Sequence, residues 1–362
     1  MKDIKELSFI LREKLSLNKC RVDCLTGMIM ALMVARTINL QILSKAIKSG
    51  TLAESCVRRL QRFFVEAKID FDQLAKVLVS LIQPSNSEFQ ITIDRTNWQF
   101  GKKNINILML GIVYQGAAIP VMWMLLNKKG NSNTAERIEL MERFLRVFGK
   151  DCIEVVLADR EFVGKTWFKY LKDKQIQFLI RIKENTKVSN TREQGSNVKN
   201  LFSNIGVGMQ LRLKGTRKIW GLKLSLTALR LETGELLAVA SAHEFEEPIE
   251  LYGKRWEVET LFQSLKGRGF NFEDTHITDM ARINRIVAVL SLAFVWALKV
   301  GQWCHDNIKK LRIKKHGRLE RSLFRYGLDV LNQVILETGF EHLWKVFLKL
   351  LSSKQYKLAE IM

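Results

Sequence analysis

Prolines are scarce in this chain. Pro84, Pro120 and Pro248 are the only three in 362 residues, which excludes a proline-rich or collagen-like polymer. Cysteines are few, odd in number and scattered: Cys20, Cys24, Cys56, Cys152 and Cys304. That pattern argues against a disulfide framework. Cys20 and Cys24 stand one helical turn apart, but no second pair completes a zinc site. Buried thiols in a reducing cytoplasm fit better. Long hydrophobic runs are also missing. The longest, residues 286–298, is broken only by Ser291 and falls short of the ~20 residues needed to cross a bilayer. It reads as a buried core helix, so no membrane partner is expected. The N-terminus alternates charged and apolar residues and lacks a secretory apolar core. Neither an internal repeat nor a low-complexity tract is visible.

Acidic residues are in deficit, 37 against 58 lysines and arginines, leaving a formal charge of +21. A surplus that large favours a polyanionic partner, because each neutralised phosphate releases counterions. Apolar residues make up 47% of the chain, enough to bury a sizeable core rather than remain disordered. The length implies two or three structural units.

Residues 1–85 read as helical. Leu40, Leu43, Ala46 and Ile47 recur at helical spacing. The turn signal Ser49-Gly50-Thr51 follows, and then a basic helix with Arg58, Arg59 and Arg62. This order suits a helix-turn-helix whose second helix enters a DNA groove, and equally a plain bundle with a solvated basic face. Gln83-Pro84-Ser85-Asn86-Ser87 reads as a linker.

Beyond it the period changes to two. Phe89, Ile91 and Ile93 alternate with Gln90, Thr92 and Asp94, as in a strand. Strands over 104–114 and 117–126 meet across Gln115-Gly116, a hairpin signal. Asn133 with Glu136 predicts a capping box for a helix reaching about 148. The run 153–158 is apolar, as in a fully buried strand, and ends at Asp159. A helix over 162–173 and a strand over 177–182 follow. The fold class expected is α/β: a ribonuclease-H-like mixed sheet, with a three-strand meander and crossovers that add parallel strands beside the first. Residues 183–246, with strands over 210–214 and 218–230, read as a β-rich insertion. A long helix over 249–267 closes a catalytic unit spanning 86–300, and residues 301–362 form a helical C-terminal region.

Three carboxylates stand out. Asp94 lies on the strand face opposite Phe89, Ile91 and Ile93, and Asp159 terminates the buried fourth strand. Either alone could be an ordinary strand-end residue. Placed on neighbouring strands they would be two like charges at the edge of a core, costly unless a cation joins them. Hard oxygen ligands favour Mg²⁺ or Mn²⁺. The third comes from the helix. At about 100° per residue, Tyr252, Arg255, Glu259 and Lys266 fall within roughly 60° of one another. Val258, Leu261, Phe262 and Leu265 make a separate apolar face. Glu257 points away, which leaves Glu259 as the candidate carboxylate. A metal ligand flanked by a phenol, a guanidinium and an ammonium suits a metal-bound phosphodiester.

The pattern Tyr252, Arg255, Glu259, Lys266 resembles the YREK signature of the bacterial insertion-sequence-four transposases, within the wider DDE transposase group. Ile93-Asp94-Arg95-Thr96-Asn97-Trp98 and Ala158-Asp159-Arg160-Glu161-Phe162 are similar to that family's two Asp motifs. Gly130-Asn131-Ser132-Asn133-Thr134-Ala135-Glu136 also resembles a family motif. Asp159 stands 65 residues after Asp94, and Glu259 a further 100 after that. The resemblance covers about residues 55–300. It implies a ribonuclease-H-like domain in which Asp94, Asp159 and Glu259 hold two Mg²⁺ ions, with Mn²⁺ as a substitute. It implies cut-and-paste transposition: recognition of double-stranded terminal inverted repeats, insertion into target DNA and a homodimeric synaptic complex. Arg255 and Lys266 would hold phosphates, Tyr252 the phosphate of a distorted end, and Trp256 would pack on DNA. Some relatives carry a Trp on the last insertion strand that receives a flipped base. Residues 235–240 here contain none, and Trp220 is the candidate substitute or else a core residue.

Lys309, Lys310, Arg312, Lys314, Lys315, Arg318, Arg321 and Arg325 crowd a short stretch and read as phosphate contacts or as a solvated helical face. Ile335, Leu336, Leu343, Val346, Phe347 and Leu350 make an amphipathic end that joins a partner subunit or closes the core. Two rival readings remain: a domesticated, inactive relative that binds DNA without cutting, and another ribonuclease-H-fold nuclease.

Overall fold

A computed structural model of the chain describes residues 4–47, 50–82, 88–190, 193–315 and 317–352. The proposed linker, 83–87, lies outside the described residues, as does Ser49. Helices α1 (Lys5–Lys14), α2 (Lys19–Ala35), α3 (Leu40–Ala46), α4 (Ala53–Glu66) and α5 (Phe71–Ile82) come first. On α4, Leu60, Phe63 and Phe64 are buried while Arg58 and Arg62 are exposed and Arg59 is half-buried. Residues 47–52 separate α3 from α4, a longer connection than the 3–4-residue turn of a helix-turn-helix.

The sheet begins as the alternation predicts. Strands β1 (Phe89–Phe100), β2 (Lys103–Tyr114) and β3 (Ala117–Leu125) form an antiparallel meander. Gln115 and Gly116 take φ of 53° and 79°, the left-handed pair that a two-residue hairpin turn needs. Helix α6 (Thr134–Phe148) opens on the expected capping box, with Asn133 and Glu136 bonding each other's backbone N–H. Strand β4 (Ile153–Ala158) then lies parallel beside β1. Helix α7 (Lys165–Asp173) leads to β5 (Phe178–Ile182), parallel beside β4. The order β3-β2-β1-β4-β5 is the ribonuclease-H-like arrangement.

The insertion comprises β6 (Lys187–Ser189), β7 (Gly195–Asn197), α8 (Val198–Leu201), β8 (Gln210–Arg212), β9 (Arg217–Ile219), β10 (Leu222–Arg230) and β11 (Leu236–Ser241). It is continuous with the central sheet, because β11 pairs antiparallel with β5 and the whole becomes eleven strands. The strand expected over 218–230 is in fact a hairpin. Trp220 and Gly221 adopt φ of 49° and 82° and reverse the chain between β9 and β10. Trp220 is half-buried and sits edge-on to Phe168 at 5.5 Å, a packing role.

The long helix expected over 249–267 is also broken. Helix α9 (Pro248–Gly253) passes through a 3-10 turn, Lys254–Trp256, into α10 (Glu257–Leu265). Helix α11 (Met280–Asn307) follows, 28 residues long and apolar enough to cross a membrane, but with most of its apolar stretch buried inside the protein. A helix apolar on all sides belongs in such a core. It packs on α12 (Leu323–Leu336) so closely that a Cβ on Gly301 would lie 1.8 Å from Leu323 O, and one on Gly327 1.8 Å from Ala297 O. The described residues of 308–322 are not helical, contrary to the expectation for the C-terminal region. An isolated bridge between Ile313 and Leu319 folds them into a loop. Helix α13 (Glu341–Lys349) closes the core through Trp344, Val346 and Phe347, whose carbonyl accepts from Trp296 Nε1 at 2.9 Å. Three cysteines, Cys24, Cys56 and Cys304, are buried as expected, but Cys152 is only partly covered and Cys20 is exposed. Cys20 lies in the first turn of α2, whose buried residues begin at Val22.

Candidate active site

Register places two of the three carboxylates. The parallel pairing of β1 and β4 runs to Ile93 opposite Ala158, so one step later come Asp94, still within β1, and Asp159, just past the end of β4. Side chains alternate along a strand, and both acids take the parity opposite the core-facing Ile93 and Ala158. Asp94 Oδ1 accepts from the backbone N–H of Arg95 at 2.7 Å. Burial pushes its pKa up to about 6; the nearby Glu161 and Asp159 add to the rise, and Arg95 N–H and Arg255 oppose it. Asp159 Oδ1 is buried and has no hydrogen-bond partner.

The broken helix supplies the rest. Glu259 lies in the first turn of α10, its side chain 48% exposed. Arg255, in the 3-10 turn, stands between the two elements. Its Nη1 donates to Asp94 Oδ2 at 3.1 Å and its Nη2 to Glu259 Oε1 at 2.8 Å. Burial opposes the Arg255 charge, but Tyr252, Asp94, Glu259 and Asp159 outweigh it and hold its pKa above the ordinary value. Of the four residues expected on one polar stripe, Tyr252, Arg255 and Glu259 stay together, with Tyr252 and Glu259 both acting on the Arg255 guanidinium, and Lys266 departs. Tyr252 is 1% exposed and belongs to a small core with Val155, Leu157, Leu179, Leu237 and Val239, where burial raises its pKa. Lys266 lies just past the end of α10, bonded to Asn97 O at 3.3 Å, paired with Glu273 at 2.8 Å and over the Trp98 ring at 5.4 Å. Lys266 departs because the backbone leaves helical geometry after Leu265. Trp256 remains 38% exposed, with the Arg255 guanidinium 5.5 Å from its ring.

Sequence reasoning missed the residues that fix the strand side. Arg137 is 4% exposed on α6. It donates to Ser132 O at 2.6 Å, Ser132 Oγ at 2.9 Å and Glu161 O at 2.9 Å, and lies over the Phe162 ring. It bolts the 130–136 motif to the chain that follows Asp159. Arg95 adds a second tie, pairing with Glu161 at 3.2 Å and bonding Asn131 at 3.0 Å and Asn106 at 3.1 Å. A charged residue on the apolar side of an amphipathic helix was the available signal for Arg137. Glu257 was set aside as pointing away; it accepts from the Tyr114 N–H at 3.2 Å and fastens α10 to the β2–β3 turn. Its burial pushes its pKa up to about 7.

A groove of about 640 Å³ runs along α10 beside Glu259. Trp256, Gln263 and Arg268 form one wall, and Arg318, Leu319 and Arg321 of the C-terminal loop form the other. On that loop Lys309, Lys310, Arg312, Lys314, Lys315 and Arg318 are exposed. Arg321 and Arg325 pair with Asp329 at 3.2 and 3.1 Å.

The family model described as the transposase DDE domain matches residues 85–296. The chain belongs to the DDE transposase family. Asp94, Asp159, Tyr252, Arg255, Trp256, Glu259 and Lys266 of this transposase all fall within the matched stretch, whereas Arg58, Arg59, Arg62 and the 308–322 loop fall outside it. None of the curated proteins compared with the chain matches it. Among solved structures, a piggyBac transposase in a synaptic complex with hairpin DNA is similar at 12% identity and a TM-score of 0.47, over 95% of this chain and 75% of that one.

DDE transposases generally use divalent metal ions. The donor chemistry here suits them: two adjacent carboxylates, one with an orphaned buried oxygen, offer hard ligands with unmet charge. Yet among the described residues no three acidic, histidine or cysteine side chains are arranged to hold an ion. Arg255 occupies one oxygen each of Asp94 and Glu259.

Proposed function

We propose that this protein is a cut-and-paste transposase of an insertion sequence of the insertion-sequence-four type. Asp94, Asp159 and Glu259 are its metal ligands. The single observation that supports the reading is the β1–β4 register, whose last pair, Ile93 with Ala158, immediately precedes Asp94 within β1 and Asp159 just past the end of β4. Like charges so placed call for a cation. Two bound Mg²⁺ ions, with Mn²⁺ as a substitute, would supply Lewis acidity that makes water nucleophilic and offsets charge on a departing 3′ oxygen.

The chain's own residues do the rest. The groove beside Glu259 admits the DNA backbone, with Trp256 and the basic loop on opposite walls. Arg255 presents a planar fork suited to a phosphate, and Lys266 a point charge farther along β1. Tyr252, buried behind the Asp159 strand, supports the turn that carries Arg255, and its phenol is the residue assigned to a distorted end. The partners are double-stranded terminal inverted repeats and target DNA, gripped by a homodimer in the bacterial cytoplasm. Residues 1–85 form the DNA-binding unit through Arg58, Arg59 and Arg62, residues 86–300 the catalytic unit and 301–362 a DNA-contact or dimer unit.

Cleavage of end-containing DNA in Mg²⁺ tests the assignment. Asp94→Ala, Asp159→Ala and Glu259→Ala should each abolish cutting while binding to the ends persists. Full activity of any one refutes it. A supercoiled donor plasmid separates the alternatives: an excised element means transposase, random nicking another nuclease, and a gel shift without cutting a binding protein.

A further inference from the structure

We infer that Arg255 is the resident counter-cation of the carboxylate site, and that divalent ions enter only as its guanidinium leaves for a DNA phosphate. The inference rests on the ligand roles proposed for Asp94, Asp159 and Glu259.

The geometry is that of a cation already in place. The Arg255 side chain is 6% exposed and bridges Asp94 Oδ2 and Glu259 Oε1, two oxygens borne on different elements. A guanidinium and a divalent ion compete for those oxygens: each hydrogen bond takes up acceptor capacity that a metal would use, and two cations a few ångströms apart repel strongly where little water screens them. With Arg255 present, part of the carboxylate charge is offset and one oxygen each of Asp94 and Glu259 is taken.

A comparison with Arg137 shows why Arg255 is the movable one. Arg137 is also buried, but it donates to the carbonyls of Ser132 and Glu161, fixed points of the backbone with no reason to release it. Arg255 is held by carboxylates that a divalent ion would take over, and its Nε is buried without a partner. It sits in a 3-10 turn, next to the exposed Trp256 that lines the open groove. A phosphate arriving in that groove offers the fork two charged acceptors in place of the two it gives up. Metal loading and DNA docking each weaken the hold that the other must break, so by linkage each raises the affinity of the other. Arg255 is thus a positioning residue: it ties Asp94 to Glu259 and offsets their charge without DNA, and withholds metal until the substrate is present.

Mn²⁺ titration of the full-length, DNA-free protein, followed by the electron-paramagnetic-resonance signal of free Mn²⁺, tests this. Arg255→Gln should bind Mn²⁺ at least ~10-fold more tightly than wild type, and Asp94→Asn should weaken binding. Equal or weaker binding by Arg255→Gln, with Asp94→Asn still impaired, overturns the inference and leaves the ligand assignment standing. If neither Asp94→Asn nor Asp159→Asn affects Mn²⁺, the ligand assignment itself fails. Should Arg255→Gln not fold, Arg255→Lys and wild type carry the test. After correction for Mn²⁺ bound by the duplex alone, a saturating 20-base-pair duplex should tighten Mn²⁺ binding more in wild type than in Arg255→Lys, which lacks the two-pronged grip. An equal gain in both contradicts the proposal.

Discussion

The two halves of the site are built differently. Asp94 and Asp159 stand on paired strands, their positions set by the β1–β4 register and locked from behind by Arg95 and Arg137. Arg255, Glu259 and Lys266 stand on a segment that changes helical type at 254–256 and stops at Leu265. The first half is a shelf of paired strands; the second is an arm whose apolar face is buried and which Arg255, Glu257 and Lys266 tie to the strands. The difference suits a site in which fixed ligands wait for a movable partner.

The largest expected contrast lies in catalysis. Asp94→Asn and Asp159→Asn should each lower the single-turnover rate of DNA cleavage by about 10³-fold or more, the scale of losing a principal electrostatic group. Lys266→Ala, on the arm and shared with Glu273, should cost far less and appear mainly as weaker DNA binding. Comparable losses in rate constant for all three would dissolve the distinction between shelf and arm.

Stability should show the reverse bias. Arg137→Met leaves the Ser132 and Glu161 carbonyls and the Ser132 hydroxyl without their donor, and should cost about 3 kcal/mol, read as a fall in the denaturant midpoint. Trp256→Ala, already largely exposed, should change it by less than about 1 kcal/mol.

The shelf was legible in the sequence, and the arm only in part. Alternation from Phe89 to Asp94, the apolar run that ends at Asp159 and the Asn133–Glu136 box are local patterns with one structural solution each. Because strand side chains repeat every two residues, a short stretch fixes which face each acid takes. The helical wheel over 252–266 extrapolated fourteen residues from one assumption of constant geometry, and the end of α10 at Leu265 voided it for Lys266. Tyr252, Arg255 and Glu259 kept their relation because successive members are three and four residues apart, distances over which the 3-10 turn matters little. Arg137 stayed hidden because its partners are backbone carbonyls, which leave no trace in side-chain spacing. The continuity of the insertion with the main sheet is a long-range pairing of β11 with β5 that no local period encodes.

Salt dependence separates the groove walls. Changing Lys309, Lys310, Lys314 and Lys315 to Gln should reduce the slope of log affinity against log salt by up to ~3–4 if all four meet duplex phosphates. An unchanged slope would assign the loop to another role.

The smallest effect concerns the fastening of the arm. Burial raises the Glu257 pKa from 4.5 to about 7, so between those values the folded state holds a proton that the unfolded state has lost. Stability from this group is therefore present below about pH 4.5 and declines as pH rises to about 7. Glu257→Gln removes that decline, so Tm should fall by a few degrees less between pH 5 and pH 8 than in wild type. An identical pH profile would mean that Glu257 titrates normally and is not buried against the β2–β3 turn.

The most direct test of the central claim is to locate the metal on the chain. Fe²⁺ with ascorbate and peroxide generates hydroxyl radicals at a bound ion and cuts nearby backbone. With a DNA duplex present, cuts should cluster around residues 94, 159 and 255–259 and disappear in Asp159→Asn and in excess Mg²⁺. Cuts confined to other parts of the chain, or unaffected by Asp159→Asn, would contradict a metal site built from these three carboxylates.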